Sequence, residues 1–182
     1  MMRPLLLITL SLATPAAAQQ ADMSSFTTGP VFEDFGPHAS VELTDPLPAD
    51  TSLRHSFDVA AAAEEGRFNR GFESAARFVN MHAANGVDPE RIEVAVVVHG
   101  RAVLDLLTDE AWAARDLEGE TNPGGANVRE MLDAGVRFVV CGQSAAGQGV
   151  SNDDLIPGVE VALSAMTAHA LLQRQGYTVN PF

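Results

Sequence analysis

The stretch IEVAVVV at residues 92–98, followed by His99-Gly100, and the stretch VRFVVC at residues 136–141, followed by Gly142, decide how this chain folds. Both are short, rich in β-branched residues and apolar almost throughout, with no alternation of polar and apolar positions. A strand that hides only one face alternates; a continuous apolar run marks a strand covered on both faces, as in a parallel sheet. Each run stops at a glycine, which lets the backbone turn away as the strand ends.

Outward from these two runs the pattern changes to helical spacing. Upstream, Phe72, Ala75, Ala76, Val79 and Ala83 recur on one face of a helix over Arg70–Ala84. Asn69 is placed to cap that helix and Asn85-Gly86 to end it. Before it, Leu53–Ala60 reads as a first strand and Ala61–Phe68 as a connection. Downstream, Arg101–Thr108 is helical through Val103, Leu104 and Leu107, and Asp116–Thr121 is a polar loop. Asn122-Pro123 reads as a cap followed by proline at the first helical position. The helix it opens runs through Val128, Met131 and Leu132 to Gly135. After the second apolar run, Gly142–Asp154 reads as a glycine-spaced loop, Val159–Leu163 as a strand, and Ser164 as the cap of a helix through Met166, Ala170 and Leu172. Gly176 closes that helix, and Tyr177–Val179 is a last strand.

Strands alternating with helices give a parallel sheet with right-handed crossovers. The expected fold is α/β: a flavodoxin-like three-layer sandwich with a mostly parallel five-stranded sheet, formed by residues 53–182. Residues 19–52, with Gly29-Pro30, Gly36-Pro37, Pro46 and Pro48, read as an extended lead that lies along the domain surface or is partly disordered. Residues 1–18 read as a signal peptide: Arg3 supplies the charge, Leu5–Leu12 the short apolar core, and Ala16-Ala17-Ala18 the small residues before Gln19. That apolar run is too short for a bilayer span, which needs about 20 residues. The expected location is the periplasm.

The chain has 182 residues, a formal net charge of −13 and 11 basic residues, all of them scattered arginines. A strongly acidic chain without a basic patch argues against nucleic acid and against anionic membrane surfaces as partners. Without lysine there is no phosphate-cradling G-x-x-x-x-G-K-[ST] loop, and there is no G-x-S-x-G nucleophile elbow. No cofactor is implied. The histidines have no metal-ligand spacing to one another or to the single cysteine, so no metal site is expected.

Cys141 is the one cysteine. In an oxidising compartment cysteines usually pair, and an odd one indicates a free reactive thiol, an intermolecular bridge or an inert core residue. Its position favours reactivity, because in parallel α/β sheets chemistry collects beyond the carboxyl ends of the strands. The loop of Gly142, Gln143 and Ser144 can aim backbone N–H groups at the sulfur and favour the thiolate. His99 and Gly100 end the neighbouring apolar run at the same edge, where His99 either assists the thiol or only shapes the edge. Asn122 and Ser164 are expected to cap helices, with ligand contact at that edge as the second role of each.

Residues 92–108 (IEVAVVVHGRAVLDLLT), 136–150 (VRFVVCGQSAAGQGV) and 155–182 (LIPGVEVALSAMTAHALLQRQGYTVNPF), with Phe78-Val79-Asn80 before Gly86-Val87, resemble the exported branch of the DsrE/DsrF-like family. The resemblance implies a flavodoxin-like sandwich, assembly as a homo-oligomer (trimer or hexamer), and correspondence of Cys141 to the cysteine that carries sulfur as a persulfide in sulfur-relay members. Two readings follow. In one, Cys141 takes sulfane sulfur from a small sulfur-containing donor and passes it to an acceptor, with His99 assisting. In the other, the edge around His99, Asn122 and Gln143 is a non-catalytic binding or assembly module. A cysteine hydrolase ranks last, since no acidic residue is obviously placed to orient a histidine.

Overall fold

The structure is a computed structural model that describes residues 22–180. The signal-peptide reading of residues 1–18 falls outside them. Seven strands and five α-helices follow in chain order: β1 (Phe26–Thr27), β2 (His38–Ala39), β3 (Leu53–Val59), α1 (Arg70–Ala84), β4 (Ile92–Val98), α2 (Asp109–Ala113), α3 (Gly125–Asp133), β5 (Arg137–Cys141), α4 (Gly142–Gly147), β6 (Glu160–Ala162), α5 (Ala165–Arg174) and β7 (Thr178–Asn180). The short pair β1–β2 is antiparallel. The other five strands form one parallel sheet in the order β6-β5-β4-β3-β7. This is the expected three-layer α/β sandwich.

The strand order fixes the two faces. The chain steps outward from β3 to β6, so right-handed crossovers lay α1, α3 and α4 on one face. It then returns across the sheet to β7 beside β3, which puts α5 on the other. Strand alternation matches. Phe57, Val59, Val94, Val96, Val98, Phe138 and Val140 join the larger core with Phe72, Val79, Val128 and Met131. Ala95, Val97 and Val139 pack under α5 with Ala168, Leu172 and Tyr177. Val94 to Val98 are all within 1% of complete burial, as a strand covered on both faces requires. Burial of each such side chain contributes about 1.5–3 kcal/mol.

The α1 boundaries follow their signals. Asn69 Oδ1 accepts from the Gly71 and Phe72 N–H groups, and the helix ends at Asn85. Other expectations are corrected. Arg101–Thr108 is a 3₁₀ stretch over Gly100–Leu106, after which Thr108 caps the short α2. Asn122 is not the cap of α3; that helix begins at Gly125 after Gly124, and Asn122 turns the chain into it by accepting the Gly124 N–H. The loop expected over Gly142–Asp154 opens with a helical turn, α4, whose six residues lie between Gly142 and Gly147 at its ends. Glycine spacing concealed a helix too short to show a period.

The described part of the lead does not merely lie on the surface. Phe32 and Phe35 are buried in the larger core and stack on each other at 4.9 Å. Asn80, fully buried on α1, holds them there. Its Oδ1 accepts from the Val31 and Phe32 N–H groups, and its Nδ2 donates to the Phe32, Phe35 and Gly36 carbonyls. One amide thus serves five backbone groups of an irregular segment that has no ladder of its own, its two Nδ2 hydrogens shared among the three carbonyls. Asn80→Ala leaves those groups buried and unpaired, and is expected to cost about 3 kcal/mol in urea unfolding. A loss below about 0.5 kcal/mol would show that the clamp is not structural.

Candidate functional site

Register builds the site. Val98 pairs with Val140, so the next residues, His99 and Cys141, leave the sheet side by side. Asp58 pairs with Val97 and Ser56 with Ala95. Since side chains alternate along each strand, Ser56, Asp58, Val97, His99, Val139 and Cys141 all share the face covered by α5. The edge strand β6 pairs Ala162 with Cys141, and the Arg137 guanidinium holds both carboxylate oxygens of Glu160 at 2.8 Å. That pairing brings Ser164 and Ala165, where α5 begins, over the sulfur.

A cavity of about 380 Å³ opens there, lined by Asp58, His99, Cys141, Ser144 and His169. Gln143, Ser164, Ala165 and Met166 complete its wall. Two further concavities, of about 300 and 270 Å³, flank the connection that follows β3. Neither contains Cys141 or a histidine.

Cys141 is 5% exposed, yet its sulfur meets polar groups. Burial pushes the thiol up. The Ser144 hydroxyl and the N–H groups of Ser144, Ala165 and Gln143 lie near enough to the sulfur to outweigh that effect and bring the thiol below its ordinary value. Ser144 is held in turn, its Oγ accepting from the Gly100 N–H at 3.1 Å.

The sequence reading missed Asp58 and His169. The Asp58 carboxylate sits between two imidazoles: His169 Nε2 lies 2.8 Å from Oδ1, and His99 Nε2 lies 3.2 Å from both oxygens. Burial pushes the Asp58 carboxyl up, but the hydrogen bonds from His169 and His99 bring it below the usual carboxylate range. A carboxylate only accepts, so each Nε2 carries a hydrogen. His169 Nδ1 then faces the Ser56 hydroxyl at 3.4 Å. No described residue hydrogen-bonds His99 Nδ1, which is left as the ring nitrogen able to take up or return a proton. An acidic residue next to last in the first strand was the available signal. His169, four residues beyond Ala165 on the capped last helix, carried none without the fold.

Of the residues proposed from sequence, the cavity gathers Cys141, His99, Gln143, Ser144 and Ser164. Ser164 also caps α5, accepting the Thr167 N–H. Gly100 and Gly142 stand behind the wall rather than in it. Gly100 has φ +56°, and a Cβ there would lie 2.9 Å from the Ala60 carbonyl oxygen; one at Gly142 would lie 2.8 Å from that of Ala162. Both glycines permit the backbone approach that brings the strand ends together. Asn122 does not reach the cavity. It is buried, with Nδ2 donating to the Asp105 and Leu107 carbonyls, so its ligand role is withdrawn. Among the described residues no group of three or more His, Cys, Asp and Glu side chains is placed to hold a metal ion, and no helix is long and apolar enough to cross a membrane.

A parallel α/β sandwich with a single cysteine at its strand ends defines the class. Residues 55–181 match the model of the DsrE/DsrF-like family, and the chain belongs to that family. No functionally curated protein matches it. Among solved structures, a protein of unknown function, MTH1491, from Methanobacterium thermoautotrophicum is similar at 23% identity and TM-score 0.49, covering 72% of this chain and all of that one. The ychN protein from E. coli is similar at 18% identity and TM-score 0.43, covering 71% of this chain and all of that one.

A depressed thiol ionises at lower pH, and each donor removed returns it upward. The pH midpoint for alkylation of Cys141 by iodoacetamide is therefore expected below that of the unfolded chain, and to move up in Ser144→Ala. An unmoved midpoint in the folded variant would remove the hydroxyl from the account.

Proposed function

We propose that this chain is a sulfur-handling protein that carries sulfane sulfur as a persulfide on Cys141. The observation that carries the reading is Cys141 at a strand end, in a cavity whose wall brings Gln143, Ser144 and Ala165 to the sulfur and His99 beside them. The donor groups near the sulfur favour the thiolate, which is the nucleophile, and they can equally hold the charge of a persulfide anion one atom longer. The cavity leaves room for a small donor or acceptor.

In this reading the Cys141 proton passes to His99 Nδ1, and the thiolate attacks the outer sulfur of the donor. The sulfur–sulfur bond breaks, and the leaving group takes the proton back from His99. Asp58 keeps the His99 ring oriented while it holds the proton. His169 fixes Asp58 from the other side. Asp58 does orient a histidine, so the sequence ground for ranking a cysteine hydrolase last falls away; the persulfide reading rests instead on the donor groups near the sulfur.

Export and self-association belong to the same proposal. Export rests on residues 1–18. Association of copies, as the family resemblance implies, is supported by Val161, Leu163 and Leu171, which are 42–72% exposed on β6, α5 and the turn between them. Leu163→Asp is expected to reduce the mass seen by light scattering; an unchanged mass would move the interface elsewhere.

Exposure of the purified full chain to a low-molecular-weight persulfide should add one sulfur atom to its intact mass. Cys141→Ser should abolish the gain, and His99→Ala should slow it roughly 100-fold. No added sulfur in the wild-type chain, with Cys141 unreactive to alkylation while folded, would instead support a non-catalytic binding or assembly module.

A further inference from the structure

The charge of the Cys141 cavity restricts what can enter it, an inference that rests on the persulfide reading for its chemistry but not for its electrostatics. Of the described residues lining the cavity, Asp58 is the one with a full charge away from the histidines, and none is an arginine. The chain has no lysine to reach in from elsewhere and a net charge of −13. Both histidine Nε2 atoms are spent on Asp58. An anion approaching Cys141 would lose its hydration and meet a carboxylate with no cation to replace the water. At the mouth, Met166 is 81% exposed and lies beside Ala165, offering an apolar wall to an uncharged group.

We propose that Asp58 is a specificity-determining residue that makes the Cys141 cavity selective for sulfane-sulfur donors that enter uncharged, the protonated form of R–S–SH with an uncharged R group, over donors that are anionic throughout, such as thiosulfate. The transfer balances without an added oxidant or reductant. The Cys141 thiol gives its proton to His99, and its sulfur bonds to the terminal sulfur of R–S–SH. The donor S–S bond breaks with its electron pair leaving on RS⁻, and His99 returns the proton to give RSH. The sum is Cys141–SH plus R–S–SH giving Cys141–S–SH plus RSH.

The test compares two alkylating agents of nearly the same shape, neutral iodoacetamide and anionic iodoacetate, at about pH 8, where an ordinary imidazole is uncharged. The ratio of their rates at Cys141, divided by the same ratio in the unfolded chain, reads the field at the sulfur independently of any sulfur transfer. The expected value is roughly fivefold in favour of the neutral agent, falling toward one in Asp58→Asn. Should Asp58→Asn not fold by circular dichroism, Met166→Arg at the exposed mouth takes its place, with the same fall expected. A wild-type value near one, or a value unchanged in the folded variant, overturns the proposal. Loading from thiosulfate as fast as from an uncharged R–S–SH overturns it as well. Failure to load from either donor with the alkylation ratio intact would sink the persulfide reading and leave the charge selectivity standing.

Discussion

The site depends on the parallel pairing of β4 with β5, in which Val98 lies opposite Val140. That register brings His99 and Cys141 out of the sheet together and on the same face. A slip of one residue would send Cys141 to the opposite face, among the larger core. The slip is opposed by the apolar residues of both strands, which are sorted between two cores that accept different sizes. Phe138 packs among Phe72 and Met131, and the slip would force it under α5, where Val139 packs with Ala168 and Leu172.

The second constraint is the return of the chain across the sheet. The segment from β6 to β7 alone crosses to the far face, so α5 lies over the strand ends with its N-terminal turn at the sulfur. That one crossover supplies Ser164, the Ala165 N–H and His169 to the cavity. The three short elements β6, α5 and β7 therefore contribute as much to the chemistry as the long buried strands do. The apolar surface that this thin layer leaves exposed lies next to the cavity mouth.

Long regular elements were legible in the sequence, because their signals are local. The buried strands declared themselves by composition, and α1 by its period and by the Asn69 cap. The site residues next to those signals, Cys141, His99, Gln143, Ser144 and Ser164, were legible for the same reason. What the sequence hid is non-local. Asp58 and His169 are separated by 111 positions and meet only because β7 pairs beside β3 and draws α5 across. The burial of Phe32 and Phe35 depends on Asn80, a polar residue on the buried side of α1 whose partners lie more than 40 positions away. Asn122 misled for a related reason: its side chain serves carbonyls 15 and 17 positions back rather than the helix it precedes.

The proposed chemistry rests on a sulfur that is enclosed yet close to hydrogen-bond donors, and the balance between those two effects sets its charge. The direct measurement is the ultraviolet absorbance of the thiolate in the folded chain, titrated against pH with Cys141→Ser as the blank. The expected ionisation lies below that of the same cysteine in the unfolded chain. Ionisation at or above the unfolded value would mean that burial prevails, and that Cys141 is a core residue rather than a nucleophile.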